Sequence, residues 1–562
     1  MRTLKPVLLI PLLVGVHTSI QAQTPPDAGS LRQQIEQQRS VPLPAARPER
    51  VATPPEIQPT AGMKVRVKAF RFAGNTLLSS EQLATPVASF SGRELDFAGL
   101  QRAADAVAAA YREAGWIVRA YLPEQDVSEG TITLQVVEAR FGGVRFEGAP
   151  SLRVQRNGIE SFFRQQQALG APLNANALDR ALLLADDLPG VSVAGTLTPG
   201  AQDGETALIV QTTDEPFIYG DVGLDNTGAL STGSERLTAS LTVNSPRRRG
   251  DLLSLSALHT RGSDYARVAY TAPRGNNGLR LGVNATAMTY KVVNGSDSIK
   301  ALGIQGRSSS MGMDWNYPLL RARLHNLYFT GGLENKRFFN DNLESKSDNA
   351  KSYSDYDSRS LRLGLSGNRF DDWLGGGANS ASLQLQLGRL ASMQAHTQID
   401  SIDRSYHKMN YSLSRQQAIT GAHSVILSLQ GQQASQVLDS SEKFYIGGAG
   451  SVRAYPASEL GGERGQVITA EWRWRLDSAW LITAFADAGR IAALPATASA
   501  HQPTLHLNGR GISLGWEGPA GLSTRLTWAH RNSVNPKPTQ TGTDSDGTLT
   551  RNRIWFTASI PF

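Results

Sequence analysis

Residues 554–562 read Ile554, Trp555, Phe556, Thr557, Ala558, Ser559, Ile560, Pro561 and Phe562. Apolar residues stand at every even position of this stretch, and Thr557 and Ser559 stand between them. In a β-strand, such alternation places an apolar set and a polar set of side chains on opposite faces. The same period recurs in 361–365 and 383–387, which carry three leucines each. One apolar and one polar face are typical of strands in a transmembrane β-barrel.

Residues 215–562 contain sixteen segments of this kind and therefore predict a 16-stranded transmembrane antiparallel β-barrel. Short turns, such as 476–480 and 518–521, alternate with generally longer polar connections, such as 435–466 and 532–552. That asymmetry is expected of short periplasmic turns and long extracellular loops. An even count returns both ends of the barrel to the periplasm. The strands are expected near Ile218, Leu237, Leu253, Val268, Leu281, Ile304, Tyr328, Leu363, Leu385, Tyr411, Leu427, Ile468, Ile482, Ile512, Leu526 and Phe556.

The chain has 562 residues, 19% of them charged, and no apolar stretch near the ~20 residues that a membrane helix needs. A short apolar run, Val7 to Val16, follows Arg2 and Lys5 and precedes Ala22. This pattern predicts a secretory signal peptide over 1–22, although Ile20 is not the usual small residue before such a cut. Export and a barrel together predict the outer membrane.

The formal net charge of +7 does not indicate a nucleic-acid partner, because the basic residues are scattered. Arginines such as Arg247, Arg248 and Arg249 fit a membrane rim, where they meet outer-membrane lipid, or a water-filled lumen. The tryptophans are assigned to interfacial belts: Trp472, Trp474, Trp480, Trp516, Trp528 and Trp555.

No enzyme class is predicted. The chain lacks cysteine, which excludes a thiolate metal site and a disulfide framework. Its nine histidines show no HExxH spacing, and the sequence has no nucleophile elbow or P-loop. A dispersed catalytic triad stays open, but no metal, cofactor or catalytic residue is proposed from the pattern.

The first part of the exported chain divides into two segments. Residues 23–40 contain one short polar helix candidate, Ser30 to Arg39, in which Leu31 and Ile35 lie one turn apart. Because so short a helix is marginal in water, it should dock elsewhere, for instance as a plug in the barrel. A disordered tail is an equal alternative. Residues 41–62 are rich in proline and predict an extended linker.

Two mixed modules follow, over 63–139 and 140–214. Each shows the order strand, helix, helix, strand, strand, and neither contains a candidate catalytic cluster. In the first, Asp96 should cap a helix that carries one apolar stripe. That stripe consists of Leu100, Ala103, Val107 and Tyr111.

The modules resemble POTRA domains, specifically the pair in two-partner secretion transporters of the haemolysin secretion/activation and filamentous-haemagglutinin transporter family. The resemblance rests on Tyr111, Gly115, 122–130, Val136-Val137-Glu138, Leu188-Pro189-Gly190-Val191, Leu197-Thr198-Pro199-Gly200 and Gly204. It implies periplasmic modules that capture an unfolded exoprotein with an N-terminal secretion domain, and a barrel that secretes it. Such clients are adhesins, cytolysins, haem-scavenging proteins or contact-dependent toxins. An added strand on a sheet edge is one physical means of capture.

The connection 435–466 carries Val452-Arg453-Ala454-Tyr455 and is too apolar and glycine-rich for an ordinary surface loop. It is similar to the signature loop of this superfamily, usually Val-Arg-Gly-Tyr, which implies a loop folded into the lumen. Ala454 stands where the family has Gly. If the backbone needs a positive φ there, Ala costs about 1 kcal/mol or more.

The matching motif on the barrel wall is Phe485-Ala486-Asp487-Ala488-Gly489. In a strand, Phe485, Asp487 and Gly489 share one face. The resemblance implies that Arg453 pairs with an inward Asp487, and an arginine and a carboxylate can form a bidentate bond. A solvated Arg453 with Asp487 in a loop is the alternative from spacing alone. Glu471 and Arg473 either extend this network or form ordinary lumen ion pairs.

Three functions remain: a polypeptide-secretion transporter, an assembly factor for other barrels, and a passive porin. Two POTRA domains, the linker and the N-terminal helix favour secretion over assembly, and a porin has no use for them. The stretch Asp225-Asn226-Thr227-Gly228 also resembles the family, but a simple turn accounts for these residue types.

Overall fold

The computed structural model describes residues 26–38, 64–295, 300–343, 354–392, 405–494, 503–539 and 541–562. The expected signal peptide over 1–22 and the proline-rich linker over 41–62 lie outside these ranges. Among the helices within them, none has the length and apolar character needed to cross a membrane.

The N-terminal helix, α1, spans Ala28–Gln37. It begins two residues before the predicted Ser30, because Asp27 caps it: the Asp27 carboxylate accepts from the Ser30 amide, and the Ser30 hydroxyl pairs back to Asp27. Leu31 is buried against side chains from the barrel interior, among them Met288 and Tyr290. The helix therefore lies within the lumen.

Two modules follow α1. The second has the predicted order of strand, helix, helix, strand, strand, and the first adds two short strands, which pair with each other. The apolar stripe predicted in the first module, Leu100 to Tyr111, is buried in that module's core. Each module has a three-stranded sheet in which one central strand pairs with both of the others. The first contains β1 Val65–Arg66, β2 Ala69–Ala73, α2 Ser80–Val87, β3 Glu94–Leu95, α3 Phe97–Glu113, β4 Val118–Tyr121 and β5 Thr131–Glu138; the second contains β6 Arg140–Glu147, α4 Arg156–Gln166, α5 Ala175–Asp186, β7 Val191–Pro199 and β8 Glu205–Asp214.

The remainder forms a closed antiparallel barrel of sixteen strands, which confirms the predicted fold class. The lipid face follows the predicted alternation, with Leu383, Leu385 and Leu387 43–54% exposed and Gln386 buried between them. The barrel strands are β9 Ile218–Asp225, β10 Arg236–Asn244, β11 Leu252–Thr260, β12 Ser263–Pro273, β13 Arg280–Lys291, β14 Gln305–Arg321, β15 His325–Asp341, β16 Ser354–Asp371, β17 Gly377–Ser392, β18 Ser405–Ala418, β19 His423–Ala434, β22 Arg464–Arg475, β23 Trp480–Ala492, β24 Leu505–Glu517, β25 Ser523–Arg531 and β26 Asn552–Pro561.

The connection between β19 and β22 is the infolded loop. It ends at Glu463, three residues before the predicted boundary, because β22 begins at Arg464. Two short strands, β20 Phe444–Ile446 and β21 Leu460–Gly462, pair into a hairpin at its base. The hairpin and the loop tip share a buried core with residues of the barrel wall.

The second module is fixed to the periplasmic rim of the barrel. Arg321 forms a bidentate pair with Asp187, with both N···O distances 2.7 Å. Arg323, in the turn between β14 and β15, pairs with Asp179 at 2.7 and 2.8 Å. Bidentate pairs have a fixed planar geometry, so these two pairs set the orientation of the second module relative to the barrel.

Candidate functional site

The tip of the infolded loop is a turn over Val452 to Tyr455, closed by the Tyr455 amide, which donates to the Val452 carbonyl at 3.2 Å. Ala454 is not among the residues with positive φ. The turn therefore accepts alanine without the strain that a left-handed conformation would impose. Val452, Ala454 and Tyr455 are fully buried, so the tip is packed rather than solvated.

Arg453 and Asp487 are in direct contact. Asp487 on β23 accepts from Arg453 Nε at 2.9 Å and Nη2 at 2.7 Å, and its Oδ2 also accepts the Arg453 amide at 3.1 Å. The Thr469 hydroxyl on β22 donates to the same carboxylate at 3.1 Å. Asp487 is 3% exposed, so the pair is held away from bulk water, where a charge-assisted bond is strong.

Phe485 and Gly489 share the inward face with Asp487 and serve the same tip. The Arg453 guanidinium lies 3.5 Å from the centroid of the Phe485 ring, a cation–π contact. A Cβ atom on Gly489 would come within 2.9 Å of Val452 Cγ2. The wall motif thus provides a carboxylate, an aromatic face and a gap for the loop.

Glu471 and Arg473 continue from the same arginine. Arg453 Nη1 donates to Glu471 Oε1 at 2.8 Å, and Arg473 Nη2 donates to Glu471 Oε2 at 2.8 Å. The structure therefore brings together all the predicted site residues. Arg453 lies at the centre, in contact with both Asp487 and Glu471. Whether Glu471 and Arg473 have a role of their own stays a prediction.

Trp555 belongs to this site and not to an interfacial belt, so its assignment from sequence was wrong. Its indole Nε1 donates to the Arg453 carbonyl at 2.7 Å, and it is 7% exposed. The strand period could have shown this, because residue 555 shares the face of Thr557 and Ser559, which is the polar one.

Glu459, on the returning limb of the loop, provides another attachment that the sequence did not indicate. Its carboxylate accepts from the Ser545 amide at 3.1 Å and from the Asn535 side chain, both in the connection between β25 and β26. Burial raises the pKa of Glu459, and the nearby Asp544 adds to this. No motif marks such a contact, because Glu459 and Ser545 are 86 residues apart.

Helix α1 fills the lumen beside the outgoing limb of the loop. Arg32 donates to Glu334 on β15 at 2.8 Å and to Glu36, one helical turn away, at 2.7 Å. Lys336 lies 3.5 Å from both Glu36 and Glu442, which places α1 and the loop in one ionic cluster. Burial alone would raise the pKa of Glu442, but Lys336 and Lys408 hold it at about 2.

A closed barrel whose lumen contains a helix and an infolded loop, preceded by two POTRA-type modules, defines an outer-membrane transporter of the POTRA-plus-barrel class. The chain belongs to the family of haemolysin secretion/activation proteins ShlB/FhaC/HecB, which matches residues 204–544. The POTRA domain of ShlB type matches residues 65–139. These are transporters of two-partner secretion, as the sequence predicted.

Curated relatives agree with this family. The chain is 25% identical over 472 residues to the heme/hemopexin transporter protein HuxB of Haemophilus influenzae, covering 81% of each protein. It is 26% identical over 496 residues to the outer membrane transporter CdiB of Escherichia coli, covering 84% of this chain and 81% of the relative.

Solved structures share the fold. CdiB from Escherichia coli superimposes with a TM-score of 0.70 at 20% identity, covering 94% of this chain and 95% of that structure. BamA from Haemophilus ducreyi, lacking its POTRA domains 1–3, gives a TM-score of 0.50 at 16% identity, covering 88% of this chain and all of that structure. At these identities, both structures show the shared fold.

Proposed function

We propose that the POTRA domains of this transporter capture an unfolded exoprotein in the periplasm and that the barrel secretes it to the cell surface. The client is a large secreted protein with an N-terminal secretion domain, of the adhesin, cytolysin or haem-scavenging type. One relative is named a heme/hemopexin transporter, which favours including the last of these. The proposal involves no catalytic step and no cofactor.

In this proposal, α1 and the infolded loop close the lumen at rest. The observation that carries it is the seating of the loop tip, in which Arg453 binds Asp487 through three hydrogen bonds. A barrel of this strand number admits water unless it is blocked. The loop must therefore move, or make room, when a client passes.

The test measures secretion of an exoprotein whose gene lies next to the gene of this transporter. The cells carry the transporter with Arg453→Ala or with Asp487→Ala. Insertion of each variant is verified by heat-modifiable migration. Arg475→Ala is the matched control, because Arg475 is exposed at the end of the strand that carries Glu471. We expect both site variants to lose secretion while the control keeps it.

Normal secretion by both inserted site variants would contradict a functional role for the seated loop. A loss of unrelated barrel proteins from the outer membrane, with no effect on the exoprotein, would favour the alternative function as an assembly factor. The same cells therefore distinguish the two functions.

A further inference from the structure

The barrel closes where its first and last strands meet, and this seam is short. Strand β26 pairs with β9 through five residue pairs, from Pro561 with Asp221 to Thr557 with Asp225. On its other edge β26 pairs with β25 through eight, which reach Asn552. The extracellular half of β26, residues 552–556, therefore has a strand partner on one edge only.

The carboxamide of Asn226 occupies part of this open edge. Its Oδ1 accepts from the Phe556 amide at 2.8 Å, and its Nδ2 donates to the Ile554 carbonyl at 3.1 Å. The Asn226 amide itself donates to the Phe556 carbonyl at 3.2 Å. A side-chain amide offers the same donor and acceptor as a peptide group, so it takes the place of one more strand residue.

Local contacts hold Asn226 in this position. Asp225 accepts from Arg236 Nε at 2.7 Å and from the Thr227 amide at 2.9 Å, which fixes the end of β9 and starts the turn. Beyond it, the Gly228 amide donates to the Ser234 carbonyl, and the backbone turns toward β10. Unpaired backbone N–H and C=O groups that face lipid cost free energy, and the hydrogen bonds from the Asn226 side chain reduce this cost.

The clasped segment also carries Trp555, which donates to the Arg453 carbonyl. Phe556 and Ile554, the two residues bound by Asn226, flank Trp555 directly. We propose that the Asn226 carboxamide is a clasp of the barrel seam and that it positions the tip of the infolded loop through Trp555. Asn226 is thus a positioning residue for transport, beyond the turn that its motif predicts.

This inference rests on the proposal that the seated loop closes the pore. The readout is the open fraction of single channels in planar bilayers, measured on the full chain. We expect Asn226→Ala to raise the open fraction roughly fivefold or more, because two hydrogen bonds that hold the seam are lost. Asn226→Leu, of similar size and compatible with lipid, is expected to act in the same way.

A rescue experiment separates positioning from a general loss of structure. The chain has no cysteine, so introduced pairs form without competition. Ala558 lies opposite Leu224 across the seam and opposite Thr524 across the neighbouring β25 ladder. Directly opposed residues in antiparallel strands lie within disulfide range. Oxidised Leu224→Cys/Ala558→Cys should restore closure to the Asn226 variants, and Thr524→Cys/Ala558→Cys should not.

The outcomes are distinct. An unchanged open fraction in either Asn226 variant, once inserted, overturns the clasp, as does equal rescue by both cysteine pairs. Arg453→Ala is measured in parallel. If it leaves the open fraction unchanged, the proposed closing role of the loop fails; if it raises the open fraction and the Asn226 variants do not, only the clasp fails.

Discussion

Gly509 on β24 leaves the space into which Ala454 packs. A Cβ atom on Gly509 would lie 2.5 Å from Ala454 Cβ, closer than real Cβ contacts allow. We expect Gly509→Ala to unseat the loop tip and to reduce secretion severalfold, since overpacking of this kind costs about 1–3 kcal/mol. Secretion assays at equal outer-membrane levels measure the effect.

Gly421→Ala is the control for this change. Gly421 lies in the periplasmic turn between β18 and β19, and a Cβ there meets nothing within 4 Å. Secretion that is equally normal in both variants would show that the tip tolerates displacement. Ala454→Gly, which restores the usual family motif, should leave secretion unchanged because the turn needs no positive φ at this residue.

Glu138 closes the first module, and its carboxylate accepts from the Thr76 amide at 2.7 Å, the Leu77 amide at 2.8 Å and the Tyr111 hydroxyl at 3.0 Å. Burial opposes the charged form, but hydrogen bonds from Thr76 and Leu77 outweigh it and lower the pKa of Glu138. We expect Glu138→Ala to destabilise the module by about 1–2 kcal/mol. Hydrogen exchange of residues 65–139 in the full chain checks this.

The pH dependence follows from the same carboxylate. Because its pKa is lower in the folded module, its contribution is present above the ordinary glutamate pKa of 4.5 and is lost as the pH falls through the folded value. Acidification below pH 4.5 should therefore narrow the difference in exchange between wild type and Glu138→Ala. A difference that is constant with pH would show that the charge of Glu138 contributes nothing.

Single residues were predictable from sequence where a motif or a strand period marked them. Arg453 and Asp487 came from two family motifs, and the inward face of Phe485, Asp487 and Gly489 followed from the period of two. Glu459 could not be found in this way, because its partners lie in another connection and the contact depends on how two loops meet. Asn226 was assigned to a turn, and only the structure shows its side chain on β26.

At the scale of elements, α1 is a short helix that the barrel interior stabilises. Its predicted position was correct within two residues, but its amphipathic pattern is too brief to show what it contacts. We expect Arg32→Ala to destabilise the docked helix by about 2 kcal/mol, because Glu334 would lose its charge-assisted hydrogen bond at 2.8 Å and keep only Arg362 and Lys336, at 3.6 and 3.8 Å. The open fraction of single channels should rise accordingly.

Gln33→Ala, at the next position of the same helix, removes no charge and serves as the control. Both substitutions preserve helix propensity, because alanine is the best helix former, so they differ in the charge that is removed. If Arg32→Ala and Gln33→Ala raise the open fraction equally, the ionic contacts of Arg32 do not hold α1 in the lumen. We expect the tip of the infolded loop to stay seated in both variants, because Arg453 is held by Asp487 and Glu471. The protease accessibility of the tip therefore serves as an internal reference.

For the whole molecule, the sixteen strands and both modules could be predicted because each depends on local periodicity. The docking of the second module could not, since Asp179, within α5, and Asp187, at its end, look like ordinary exposed carboxylates. Their partners are Arg321, the last residue of β14, and Arg323, in the periplasmic turn that follows, and no motif marks either of them. The relation between module and barrel is therefore visible only in the assembled structure.

The two arginine–aspartate pairs predict what orients the second module at the periplasmic rim of the barrel. We expect Arg321→Ala/Arg323→Ala to free the second module from the rim, since the pair of the buried Arg321 contributes on the order of 2 kcal/mol and the more exposed pair of Arg323 about 1 kcal/mol. Spin labels at exposed Leu169 and in the turn 274–279 should give a narrow distance distribution in wild type and a broad one in the variant. A second variant reverses one pair, with Asp179→Arg and Arg323→Asp, in a chain that also carries Arg321→Ala. Its distance distribution should be narrower than that of the double alanine variant, because the pair is partly exposed and tolerates reversal. A distribution that stays narrow without both arginines would mean that backbone contacts at the rim suffice to orient the module.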